Sequence, residues 1–154
     1  MLVKKFIHVG EFYIGIKPTE VSTILGSCVS VCLYDKVEMI GGMNHYLVPL
    51  WNGNGLQSPK YGNVAIHRLV EGMVNIGCNI NNIEAKIFGG GNVIDVGSNE
   101  SMMVGRKNII VAKEILDEYK IPIIAKDVGG IYGRRLLLNT DTGKVLLKYI
   151  KEGM

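Results

Sequence analysis

The sequence predicts an α+β fold, a layered sandwich of largely antiparallel β-sheet with helices packed outside. Three observations predict it. Short apolar stretches of strand character recur over residues 6–14, 20–25, 28–34 and 39–48 before any helical period appears. Helical periods then occur twice, near 61–76 and 105–120, separated by one strand-like run at 84–88. Strand-like runs resume at 121–126, 135–139 and 144–150. This order favours antiparallel sheet over repeated βαβ units.

Each element has its own signal. Residues 6–14 read as one strand with Gly10 as a bulge, and 20–25 as a second stopped by Gly26-Ser27. From Cys28 to Tyr34, Val29, Val31 and Leu33 face one side while Cys28, Ser30, Cys32 and Tyr34 face the other. The strand at 39–48 ends at Pro49, and 51–61 holds Asn, Gly, Ser and Pro without period, a loop or lid. In the first helix Val64, Ile66, Val70, Met73 and Val74 form the apolar side, and Gly77 stops it. The run at 84–88 leads into Gly89-Gly90-Gly91. The second helix turns Ala112, Ile115, Leu116 and Tyr119 inward. The last two strands are joined by the turn Thr140-Asp141-Thr142-Gly143.

The 154 residues suit a single domain over 1–154, with no linker and no internal repeat. A hydrophobic share of 47% against 20% charged residues excludes a disordered chain. Glycine is abundant, 20 residues in all, without the fixed period of collagen. Net charge is +3 with no basic run longer than two, so no nucleic-acid footprint is expected. Mean hydropathy is +0.22, yet polar residues interrupt each apolar run well short of a membrane span or signal peptide. A cytoplasmic location is expected, and three cysteines there argue against a disulfide framework.

The chemistry concentrates on one hairpin. With Asp35-Lys36-Val37-Glu38 as a four-residue loop, Tyr34 pairs with Met39 and Cys28 falls opposite His45. Cross-strand partners have Cβ atoms about 4.5–5.5 Å apart, close enough for a thiol and an imidazole to share a proton. The imidazole would then lower the thiol pKa below its usual ~8.5. Cys28 also follows Gly26 and Ser27, a small-residue turn whose backbone N–H groups can point at an oxyanion. The plainer reading makes Cys28 a small core residue, and Cys32 and Cys78 keep that reading. A zinc site on Cys28, Cys32 and His45 lacks a C-x-x-C pair and a fourth ligand. Gly89-Gly90-Gly91 is not a phosphate loop, because no Gly-Lys-Ser/Thr follows and Ile94 occupies the third Rossmann glycine position. A plain turn and a loop lining a peptide groove with Phe88, Gly89 and Gly90 stay open. No metal or cofactor is expected.

Several motifs agree in order along the chain. Leu25-Gly26-Ser27-Cys28-Val29, Met43-Asn44-His45-Tyr46-Leu47-Val48-Pro49, Lys86-Ile87-Phe88-Gly89-Gly90-Gly91, Gly129-Gly130 with Gly133-Arg134, and Thr142-Gly143-Lys144 together resemble the CheD family of chemoreceptor glutamine deamidases. Asn63 and Lys107 depart from the family pattern. The resemblance implies a cysteine-hydrolase fold like that of the cytotoxic necrotizing factor toxins, and a Cys–His–Thr triad on Cys28, His45 and Thr23. It implies protein-glutamine deamidation through a thioester, a route open to glutamyl methyl esters as well. Its implied partners are chemoreceptor cytoplasmic helices and a CheC-type phosphatase. The alternative is a non-catalytic module that docks on receptors and stimulates that phosphatase.

Overall fold

In chain order the strands are β1 (Val3–Phe6), β2 (Phe12–Ile14), β3 (Thr19–Leu25), β4 (Val29–Asp35) and β5 (Ile40–Asn44). Helix α1 (Gly62–Asn75), strand β6 (Ile83–Gly89) and helix α2 (Asn99–Glu118) follow. Strands β7 (Ile123–Val128), β8 (Gly133–Asn139) and β9 (Val145–Ile150) complete the order. The computed structural model describes residues 2–93 and 99–151, with the backbone alone at 99–102.

The strands form two sheets, one in the order β1-β3-β8-β9 and one in the order β2-β5-β4-β6-β7. Pairing is largely antiparallel, with β1·β3 and β6·β7 the parallel exceptions. Alternation decides which residues meet. In β3, Thr19, Val21, Thr23 and Leu25 are buried while Ile24 is exposed. Val21 and Leu25 pack with Cys32, Met43, Phe88, Leu136 and Leu138 between the sheets. The opposite face of the five-stranded sheet carries both helices. Val29, Val31 and Leu33 of β4 meet Ala65, Ile66 and Leu69 of α1 and Ala112 and Leu116 of α2 there. The layers therefore run sheet, sheet, helices, and β4 is buried on both faces.

Several expectations need correction. The first strand is two: Gly10, with φ +82°, turns the chain out of the four-stranded sheet and into the five-stranded one. The β4·β5 register differs from the expected one by two residues, with Asp35 opposite Ile40 and Cys32 opposite Met43. Asp35 belongs to the strand, and its Oδ1 accepts the Val37 and Glu38 N–H groups at 2.9 and 3.0 Å, so the loop begins one residue later. Strand β5 stops at Asn44 because the Asn44 side chain replaces a backbone rung, its Oδ1 accepting the Val31 N–H at 2.8 Å. Helix α2 begins before Gly105, which lies inside it and lets the Gly90 backbone approach. Val74 is 43% exposed, and Ala65 and Leu69 take the buried positions of α1 instead.

Candidate functional site

Thr23 and His45 come together between the two sheets. Thr23 sits on the inner face of β3, wholly buried, and its Oγ1 donates to the Ile7 carbonyl at 2.8 Å. His45 Nδ1 lies 2.7 Å from the same oxygen. A hydroxyl has one proton and a carbonyl only accepts, so Nδ1–H must be the donor in the second bond. The neutral imidazole is thereby held in one tautomer, with the Nε2 lone pair free. Its backbone is pinned as well. His45 N donates to Glu11 O at 3.2 Å and its carbonyl accepts from Gly10 N at 2.8 Å, both on the crossover between β1 and β2. Burial, and then the nearby His8, pushes the imidazole pKa down to about 4.

Cys28 is half-buried on the turn between β3 and β4. Gly90 N donates to the Cys28 carbonyl at 2.8 Å and Gly91 N to the Gly26 carbonyl at 3.0 Å, so the glycine loop after β6 braces the turn. Gly89 permits this approach: φ is +106°, and a Cβ there would collide with the Cys28 carbonyl. Among the described residues, neither the Ser27 nor the Cys28 N–H donates to a backbone carbonyl, and the Cys28 N–H faces its own thiol. These two groups, beside Gly26, can receive a developing oxyanion.

The shift of two residues keeps Cys28 and His45 on one face, because side chains alternate with period two. It makes them diagonal neighbours, for which backbone positions are about 7–8 Å apart. No hydrogen bond joins the thiol to the imidazole among the described residues. The expected lowering of the thiol pKa is accordingly absent. Burial pushes Cys28 up to about 11, against a smaller pull from its own backbone N–H. The resting pair is thus a thiol and a neutral imidazole. Cys32 and Cys78 are 3% and 5% exposed, and burial raises their thiols to about 12 and about 11.

Phe88, expected to line a groove, is 6% exposed and packs between the sheets. Gly89 and Gly90 are buried too, and they brace the Cys28 turn from behind. Among the described residues no group of His, Cys, Asp or Glu is arranged to hold a metal ion, and no helix is long and apolar enough to cross a membrane. Sequence reasoning gave no role to Asn44, whose side chain ends the β5 ladder beside His45. It also gave none to Asn108, whose carboxamide reaches the Cys28 turn from α2. An Asn that interrupts a strand or an apolar helix face is the signal that could have found both.

A family model described as CheD chemotactic sensory transduction matches residues 49–149. Curated relatives include a probable chemoreceptor glutamine deamidase CheD of Sulfurimonas denitrificans, 48% identical over 97% of this chain and 96% of that protein. Proteins of the same name from Trichlorobacter lovleyi and Thermococcus kodakarensis are 44% and 36% identical, over 94% and 96% of this chain and 89% and 93% of theirs. Among solved structures, the Bacillus licheniformis hypothetical protein YfiH superposes with a TM-score of 0.50 at 16% identity. That likeness covers 76% of this chain and 50% of YfiH, and is one of fold alone.

Proposed function

This chain belongs to the CheD family, and from that premise we propose that it is a protein-glutamine deamidase acting on methyl-accepting chemoreceptors. The observation that carries the reading is the Thr23–His45 bond, 2.7 Å long, with the Thr23 proton already engaged by Ile7. It leaves a basic nitrogen with no proton of its own on the face that Cys28 shares.

Cys28 attacks the side-chain amide carbon of a glutamine while His45 Nε2 takes the thiol proton, since the thiolate is the nucleophile. The amide oxygen becomes an oxyanion held by the Ser27 and Cys28 N–H groups, a device worth about 3–4 kcal/mol per donor. The imidazolium returns its proton to the leaving nitrogen, which departs as ammonia and leaves a thioester. Water then attacks, with His45 as base, and the thiolate departs to give glutamate. A glutamyl methyl ester enters the same thioester by losing methanol. Thr23 holds the imidazole tautomer throughout and carries no proton of the reaction. Substrate helices and a CheC-type phosphatase would meet this chain in the cytoplasm.

Incubation with a receptor fragment tests the reading. The wild type should release ammonia and raise the fragment's mass by one amide-to-acid change per site. Cys28→Ala should do neither while staying folded, whereas Cys32→Ala should remain active. Comparable turnover by Cys28→Ala would sink the cysteine mechanism and leave the non-catalytic docking role.

A further inference from the structure

Asn108 lies on α2, wholly buried. Its Nδ2 donates to the Ser27 carbonyl at 3.1 Å and to the Leu47 carbonyl at 3.0 Å. Both neighbours can only accept, so the amide must turn its NH2 toward them. Its Oδ1 is left buried without a partner among the described residues. An unpartnered buried acceptor gives up its hydration for nothing in return, which makes this placement a poor one if stability were its only purpose. The backbone of Asn108 is fixed too, its carbonyl accepting from the buried Tyr46 hydroxyl.

The two carbonyls flank the end of the β4·β5 pairing. Val29 and Tyr46 form the last bridge, and beyond it Cys28 would stand opposite Leu47. The carboxamide of Asn108 closes that gap, linking the turn that carries Cys28 to the chain that has just left His45. The Ser27–Cys28 peptide is trans and planar, so its C=O and N–H point in opposite directions. Holding the Ser27 carbonyl therefore aims the Cys28 N–H away from α2. That N–H donates to no backbone carbonyl among the described residues and lies beside the Cys28 thiol.

We infer that Asn108 is a positioning residue for the deamidation proposed above: its bonds to Ser27 and Leu47 set the direction of the Cys28 N–H that receives the oxyanion. The inference rests on that reading. Removing an oxyanion donor outright costs about 10²–10³-fold in kcat, and a misaimed donor costs part of this.

The experiment uses the full chain and a receptor fragment. Asn108→Leu fills the space without a donor, and Asn108→Ala serves if the leucine variant does not fold. Ammonia release should show kcat lower by about 10–10²-fold with KM within about twofold. Alkylation of Cys28 by iodoacetamide should change by less than about twofold, because displacement at a saturated carbon forms no oxyanion. That contrast separates oxyanion positioning from general damage to the site. Unchanged kcat would overturn the role, as would a parallel fall in turnover and alkylation. A wild type that alkylates but releases no ammonia would overturn the deamidase reading itself.

Discussion

A single threonine hydroxyl decides the protonation pattern of the site. Because the Thr23 proton lies on Ile7 O, the oxygen can only accept from His45, and Nε2 is left as the base. Thr23→Val keeps the shape and removes the oxygen, leaving the tautomer unfixed. It should lower kcat by about 10–10³-fold, the scale of lost positioning, with KM little changed. Thr23→Ser should keep most activity. Ser22 lies one residue along the strand and so on its other face, and Ser22→Ala should be nearly silent. A crippled Ser22→Ala beside a mild Thr23→Val would assign the hydroxyl to the wrong residue. The hairpin and the small-residue turn single out Cys28 and His45 in the sequence, whereas Thr23 enters only through the family resemblance. What the sequence could not convey was the carbonyl of Ile7, since a backbone acceptor carries no residue-type signal.

Local period identifies the elements of this chain except where a single residue overrides it. Asp35, Asn44 and Gly10 each satisfy or redirect backbone groups with chemistry that alternation cannot register. An even slip in register still left Cys28 and His45 on one face, which is why the candidate site survived an incorrect pairing. Gly105 shows how packing can outweigh propensity. Alanine is favoured over glycine within a helix by about 1 kcal/mol. A Cβ at Gly105, however, would lie 2.6 Å from the Gly90 carbonyl oxygen, a backbone atom fixed behind the Cys28 turn. Overpacking of this kind costs about 1–3 kcal/mol, so Gly105→Ala should lower the urea midpoint. Gly72 in α1 is the control. A Cβ there meets the end of the Ile14 side chain, which can rotate aside, so Gly72→Ala should be neutral or stabilising. Equal effects from the two substitutions would mean that the Gly90–Gly105 approach does not constrain the fold.

At the scale of the molecule, the layering that buries His45 also couples stability to pH. The imidazole titrates near 6.5 in an unfolded chain and near about 4 in the fold, with burial the main cause. As pH falls through 6.5 the unfolded chain takes up a proton that the native state refuses, so stability declines. The loss ends near pH 4, where both states are protonated, and totals about 3 kcal/mol. By pH 5 it should reach about 2 kcal/mol, or roughly 4–8 °C in Tm for a chain of this size. Asp35 and Asp127 act in a lower window. Burial raises each carboxyl, but hydrogen bonds from the Glu38, Asn79 and Val37 N–H groups outweigh it at Asp35, and those from Tyr149 and Arg134 at Asp127. Both are held below the usual carboxylate range, so their support lasts above their unfolded pKa near 4 and fades only below it. Thermal unfolding of wild type and His45→Gln between pH 7 and 5 separates the two windows. The wild type should lose stability across that range, while the glutamine variant, with no imidazole at this position, should show the smaller slope. Parallel slopes would place the coupling on another group. The same burial keeps His45 unprotonated, and so able to act as the base, down to about pH 4. Protonation of the base should therefore not limit activity until the pH approaches about 4.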